Sequence, residues 1–69
     1  MNKYQIETRL IELKDCKIIK FTMNEGLTFE IPYENIIINS DKEEITSPLD
    51  NFKCFYCSIS SIDVPHQSS

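Results

Sequence analysis

The 69-residue sequence contains very little glycine and arginine and no tryptophan. Gly26 is its only glycine, so a glycine-rich loop that cradles phosphate cannot be built. Arg9 is its only arginine, and eleven acidic residues against seven basic ones give a net charge of −4. Nucleic-acid surfaces need clustered Lys and Arg to displace counterions. The composition therefore argues against a nucleic-acid partner.

Long apolar runs are also missing. No run approaches the ~20 apolar residues that a membrane-spanning helix needs. Residues 1–5 lack the charged region and apolar stretch of a signal peptide. The three cysteines form an odd set, which fits a reducing compartment better than a disulfide framework. We expect a cytoplasmic protein that does not associate with membranes.

The sequence contains few residues or motifs of the kinds that carry out catalysis. His66 is the only histidine and lies in the polar end of the chain, whereas a general base needs a positioned partner and a pocket. The sequence has no G-x-S-x-G motif. The acidic run at 41–44 has the form of a solvated turn rather than of a carboxylate pair in a cleft. We predict that the chain is not an enzyme and carries no cofactor.

The cysteines raise the question of zinc. Cys54 and Cys57 have the two-residue spacing of half a zinc site, and Cys16 and His66 could complete the ligand set. On a strand, however, residues three apart point to opposite faces, so the pair would diverge. Free cysteines in small cores mostly behave as small hydrophobic residues. We predict core packing and no bound metal, although the sequence leaves open whether these four residues meet.

Short strand-like runs make up most of the chain. Their spacing of 8–12 residues is typical of a small barrel or sandwich. Apolar residues make up 41% and charged residues 26%, close to globular averages. We therefore predict one domain over residues 1–69, of which 66–69 form a flexible polar tail.

The opening segment fits either a helix or a strand. Apolar residues at helical spacing are Ile6, Leu10 and Leu13. Asn2 followed by Gln5 also fits a capping box. Residues 4–10 nevertheless alternate with period two, as a half-buried strand does. We favour the strand, because residues 14–17 then separate two apolar runs as a hairpin turn would.

These patterns together predict a mostly β fold: a small, antiparallel, partly open barrel of five or six strands. The alternative is an α+β fold with an N-terminal helix over residues 3–14. The segment Leu13–Ile19 (LKDCKII), with the closing Ser61–Asp63, resembles the first hairpin and last strand of small SH3-like or Sm-like barrels. That resemblance implies a small β-barrel and no particular functional residue, because the RNA-binding signature of Sm-like proteins is missing.

Apolar surface is the remaining clue to function. A domain this small cannot cover both faces of every strand, so one apolar face should meet another chain. We predict an interface formed by Tyr33, Ile37, Phe55 and Tyr56, and a two-fold homodimer that covers exposed strand edges. The expected function is non-catalytic binding of a protein partner, as by an inhibitor or accessory factor of a phage or mobile element.

A second function is consistent with the same residues. An oligomer could bind and sequester a metabolite or nucleotide in pockets between subunits. With one arginine per chain, such a ligand would be held by lysine ammonium groups and tyrosine rings. The residues predicted to line such a pocket are Tyr33, Tyr56, Lys17 and Lys20.

Overall fold

The chain begins with a helix, α1 (Lys3–Glu12), in a computed structural model that describes residues 1–65. The Asn2 side chain accepts a hydrogen bond from the Gln5 backbone N–H at 2.8 Å, and Gln5 Oε1 accepts one from the Asn2 N–H at 3.0 Å. The capping box is therefore confirmed. The preference for a strand over this segment is wrong. A helix is present, as in the alternative, but it covers residues 3–12 rather than 3–14, in a fold that is mostly β.

Burial shows why the helix prevails. Ile6 and Leu10 lie four residues apart on one face of α1 and are buried at 0% and 1% exposure. Tyr4, which the period-two pattern would place beside them, is 77% exposed. The expected hairpin turn at residues 14–17 is consequently wrong as well. Those residues connect α1 to the first strand.

Six strands follow the helix within the described residues: β1 (Ile18–Met23), β2 (Thr28–Pro32), β3 (Ile37–Asn39), β4 (Glu44–Ser47), β5 (Phe52–Phe55) and β6 (Ile59–Asp63). They form two antiparallel three-stranded sheets. Sheet A has the order β2-β1-β6 and sheet B the order β3-β4-β5. The fold is therefore mostly β with one N-terminal helix. The predicted tail at 66–69, including His66, lies outside the described residues.

The turn between β1 and β2 shows how local sequence sets a strand register. Gly26 has φ +97°, a left-handed conformation that other residues adopt at a cost. Its N–H donates to the Met23 carbonyl at 2.9 Å. The ladder then pairs Phe21 with Phe29 and Ile19 with Ile31, which brings apolar side chains to the inner face.

The core lies between the inner faces of the two sheets and the apolar face of α1. Its buried members are Ile6, Leu10, Leu13, Ile19, Phe21, Met23, Ile31, Ile45, Phe52, Tyr56, Ile59 and Ile62. The rings of Phe21 in sheet A and Phe52 in sheet B stack with centroids 5.4 Å apart. This contact joins the sheets directly.

Helix α1 also covers one strand edge. The Arg9 Nε–H donates to the Ile62 carbonyl and the Met1 amino group to the Ile59 carbonyl, both at 2.8 Å. These carbonyls belong to β6, at the edge of sheet A. The side of β6 that faces away from β1 is therefore occupied by the helix instead of remaining available to another chain.

Candidate functional site

The outer face of sheet A is polar over its centre. Side chains in β1 alternate between the buried series Ile19, Phe21, Met23 and the outward series Ile18, Lys20, Thr22, whose central pair is Lys20 and Thr22. The outward cross-strand neighbours of that pair are Thr28, Glu30, Ser61 and Asp63. Asp63 also accepts a hydrogen bond from Arg9 at 3.1 Å. The centre of this face is therefore polar, and its outward apolar residues, Ile18 and Pro32, lie at one end and are partly buried.

The outer face of sheet B differs. Ile45 is buried in β4, so Glu44 and Thr46 point outward. The register places Phe55 opposite Glu44 and Ile37 opposite Thr46, so both apolar side chains share this outward face. They are 50% and 55% exposed, respectively. Two of the four predicted interface residues are thus brought to one surface, on the two edge strands of sheet B.

A charged pair separates the two apolar residues. Lys53 Nζ lies 3.9 Å from a carboxylate oxygen of Glu44 on the same outward face. The lysine side chain is 65% exposed, so water screens the pair and it contributes little to stability. We call this surface, defined by Ile37, Glu44, Thr46, Lys53 and Phe55, the outer face of sheet B.

The other two predicted interface residues lie elsewhere. Tyr56 begins the short 3₁₀ turn after β5. Because Phe55 is extended and points outward, the next side chain points to the inner face, and Tyr56 is 1% exposed there. It presents no side-chain surface to a partner in this conformation. Tyr33 is half-buried in the 3₁₀ turn after β2 and packs against the edge of the core.

The buried hydroxyl of Tyr56 has a defined partner. Tyr56 and Ser40 each donate a hydrogen bond to the same Glu7 oxygen, both at 2.8 Å. The bonds from Ser40 and then Tyr56 hold the pKa of Glu7 below its ordinary value. Burial is the main cause that raises the pKa of Tyr56, and the hydrogen bond to Glu7 raises it further. The phenol therefore stays neutral and acts as a donor. Glu7 thereby links α1 to the β3–β4 turn and to the core.

A groove runs along the free side of β5. Its volume is about 350 Å³, and its walls include Met23, Phe29, Phe52 and Ser58. The rings of Phe29 and Phe52 lie 5.2 Å apart and tilted. Phe29 points inward from β2 but remains 39% exposed, because the two sheets do not meet over this ring. We call this feature the β5 groove.

The backbone of β5 faces this groove at two residues. In an antiparallel ladder, hydrogen-bonded and non-hydrogen-bonded pairs alternate. The Tyr56 N–H donates to the Glu43 carbonyl at 2.8 Å, which makes Tyr56, Cys54 and Phe52 the residues that bond toward β4. The N–H and C=O groups of Lys53 and Phe55 therefore point away from β4, to the free edge.

The predicted ligand residues partly converge. Two adjoining cavities of about 740 and 600 Å³ share Cys16, Lys17 and Ile18 in their walls. Lys20 lines the first cavity and Tyr33 the second, so three of the four residues surround one cleft. Tyr56 does not, because it belongs to the core. We call this pair of cavities the Lys17 cleft.

The cysteines are dispersed over different environments. Cys54 is half-buried, and burial raises the pKa of its thiol to about 11, so the reactive thiolate is scarce at neutral pH. Cys57 is exposed, and Cys16 is half-buried in the connection between α1 and β1. Within residues 1–65, no three potential ligands among Cys, His, Asp and Glu form a group that could hold a metal ion.

Comparisons with known proteins give no relative. No family model matches the chain, and neither the curated proteins nor the solved structures contain a match. Over residues 1–65, the structure contains no helix with the length and apolar character needed to cross a membrane.

Proposed function

We propose that this chain is a non-catalytic domain that binds another protein through the outer face of sheet B. The observation that carries this proposal is the exposure of Phe55 and Ile37 on one sheet face, at 50% and 55%. Burying apolar surface contributes about 25 cal/mol per Å² removed from water. The centre of the corresponding face of sheet A offers no such gain, because its residues there are polar.

The arrangement around Phe55 resembles a hot spot of a protein–protein interface. A large ring lies beside the charged pair of Lys53 and Glu44, so an apolar anchor has a polar rim. The pair itself is neutral, and the chain as a whole carries a net charge of −4. Long-range attraction therefore favours a basic partner. Such a domain acts by covering a surface of its partner, as an inhibitor or accessory factor of a phage or mobile element does.

A site-specific photo-crosslinking experiment tests the proposal. The photoreactive amino acid benzoylphenylalanine replaces Phe55 in one variant and Thr28, on the outer face of sheet A, in a matched control. From position 55 we expect irradiation in host extract to give one adduct of defined mass that contains a protein other than a second copy of this chain. From position 28 we expect none. Excess unlabelled protein should suppress the adduct, and excess Ile37→Ser protein should suppress it less. Equal labelling from both positions, or none from position 55, would contradict the proposal.

Binding of a small ligand at the Lys17 cleft is the second candidate. The supporting observation is that Lys17, Lys20 and Tyr33 surround adjoining cavities. A ring to stack on and nearby ammonium groups suit a flat anionic compound such as a nucleotide. Asp15 and Glu34 in the same walls limit the positive charge. Native mass spectrometry with a nucleotide panel would test it: Lys17→Ala should abolish the bound mass, and Lys42→Ala, in an exposed turn, should not.

We also propose that the two sheets form a partly open barrel of the SH3-like or Sm-like kind. The chain passes from sheet A to sheet B through the 3₁₀ turn at 33–35 and returns through the turn at 56–58. β1 pairs with both β2 and β6, so the first two strands and the last lie side by side. The β5 groove would be the opening of this barrel.

A further inference from the structure

We infer that the β5 groove binds a second copy of this chain, with β5 of each protomer pairing antiparallel about a two-fold axis at Cys54. This interface goes beyond the outer-face interaction, because the two chains would meet through backbone groups at a strand edge. It would join the two B sheets into one sheet of six strands.

The free edge of β5 supplies the bonding groups. Lys53 and Phe55 point their N–H and C=O groups away from β4, and within residues 1–65 no hydrogen bond to these groups crosses the groove. An edge of this kind is a template for another strand. The exposed ring of Phe29 and the half-buried Cys54 lie beside it, so a strand placed there would also cover apolar atoms.

The other strand edges are less suited to the same use. β6 is covered by α1, through the bonds from Arg9 and the Met1 amino group. β3 has only three residues, and β2 ends at Pro32, which has no N–H to donate. Short edges and edge prolines are devices that prevent strand addition. β5 has neither.

The spacing of the free groups fixes the register. Two-fold pairing centred on Cys54 places Lys53 of each chain opposite Phe55 of the other, and all four outward N–H groups meet carbonyls. Each Lys53 ammonium then lies near the partner's phenyl ring, a favourable contact between a cation and an aromatic ring. Repulsion between the two Lys53 ammonium groups is small, because each Nζ lies 3.9 Å from a Glu44 carboxylate oxygen of its own chain.

The same geometry favours a second copy as the occupant. The two-fold arrangement pairs identical edges and closes on itself, whereas a pairing of β5 with a different edge would continue into a chain of subunits. The joined sheet would present Ile37 and Phe55 twice on one continuous outer face, which doubles the apolar surface offered to a third molecule. The dimer would therefore form through the backbone N–H and C=O groups of β5, whereas the proposed protein partner would bind the outward side chains of sheet B.

The small size of the interface predicts a transient dimer. A stable interface takes about 800 Å² from each partner, which is about one sixth of the 4791 Å² that the described chain exposes. One short strand and a 350 Å³ groove cover less than that. Interfaces below about 1,200 Å² in total are typically transient. We expect a dissociation constant of about 10 µM, so the dimer should form and dissociate with protein concentration.

Sedimentation equilibrium on the purified protein, with no other component, tests the inference. We expect the mass to rise from monomer to dimer between about 1 and 200 µM, on either side of the expected constant. Lys53→Pro removes an N–H that bonds outward and not to β4, so it should leave the fold intact and the chain monomeric. Lys53→Ala keeps that N–H and should still dimerise. A wild-type monomer throughout, or a Lys53→Pro dimer as strong as wild type, would overturn the inference.

A disulfide trap gives a second readout that does not depend on how the proline variant folds. Opposed residues of a non-hydrogen-bonded pair have Cα atoms about 4.5 Å apart, within the range that a disulfide spans. In a Cys16→Ser, Cys57→Ser background, diamide should oxidise the two Cys54 thiols to one disulfide and take up their two electrons and two protons. A trapped dimer is expected, and none after Cys54→Ser. Because burial raises the pKa of the Cys54 thiol to about 11, the oxidation is run at about pH 9.5 and continued until iodoacetamide alkylates Cys54 completely in a parallel sample. Failure to trap the dimer under those conditions, at concentrations where the wild type is dimeric, would show that the axis lies elsewhere.

Neither measurement contains the partner of the outer face. A negative result would therefore refute the β5 dimer and leave the photo-crosslinking result at position 55 to stand or fall independently. Conversely, a dimer in sedimentation, together with crosslinks from position 55 that reach only a second copy of this chain, would support this inference and contradict the proposed function.

Discussion

Leu10→Ala is expected to remove a large part of the stability of this domain. The side chain is 1% exposed on the apolar face of α1, against the core. Truncating a buried leucine typically costs about 2–5 kcal/mol, from lost burial and the cavity left behind. A folded chain of 69 residues has a free energy of unfolding of roughly 3–10 kcal/mol. The substitution should therefore leave a marginal domain.

Ile11→Ala is the matched control, one residue along the same helix. Ile11 is 67% exposed, so its truncation removes little buried area, and alanine favours the helix more than isoleucine does. We expect a change of less than about 0.5 kcal/mol in the free energy of unfolding. The difference between the two variants isolates the docking of α1 from its intrinsic helix propensity.

Urea unfolding, followed by far-UV circular dichroism, measures both variants. With a slope of about 1 kcal/mol per M, a loss of about 3 kcal/mol moves the midpoint down by about 3 M urea. Ile11→Ala should unfold close to the wild-type midpoint. Equal destabilisation by the two variants, or a larger effect at position 11, would show that α1 does not pack as described and would refute the reasoning.

Three further results are expected from the same structure. Asn2→Ala removes the capping side chain of α1 and should cost about 1 kcal/mol in urea unfolding, whereas Asn2→Ser should cost less. The lowered pKa of Glu7 means that its contribution to stability is present above the ordinary glutamate pKa, about 4.3, and is lost as the pH falls through the lowered value. Acid titration should thus destabilise the wild type more steeply than Glu7→Gln, and parallel curves would contradict the two hydroxyl bonds to this carboxylate. Iodoacetamide at pH 8 should modify Cys57 well before Cys54, whose thiol has a pKa of about 11, as peptide mass mapping can verify.

The α1 segment shows where local pattern was sufficient and where it misled. The capping box between Asn2 and Gln5 is a contact of residues three apart, so the sequence contains all of it. The competing period-two pattern was equally visible over residues 4–10. What decides between them is that Ile6 and Leu10 are buried together against two sheets formed by later residues. No short window of sequence contains that contact.

The candidate interface residues also include some whose positions follow from local pattern and some whose contacts depend on the tertiary structure. Outward positions for Ile37 and Phe55 follow from strand alternation once β4 lies between them. The burial of Tyr56 follows from the same alternation, because Tyr56 comes directly after the outward Phe55 and points to the opposite face. The pairing of that ring with Glu7, 49 residues earlier in the chain, depends on where α1 docks.

The sequence by itself determined properties that depend on composition or on neighbouring residues: the acidic charge, the scarcity of catalytic groups, the capped start of α1, the glycine turn at Gly26 and the alternation of β1. The tertiary structure alone decided which strands are edges, which of those edges α1 covers, and which aromatic rings remain exposed. The physical reason is the sequence separation over which each interaction acts. Capping and alternation act over two to four residues, whereas β1 pairs with β6 across some forty residues. Because β6 joins sheet A in this way, β5 lies at the edge of sheet B.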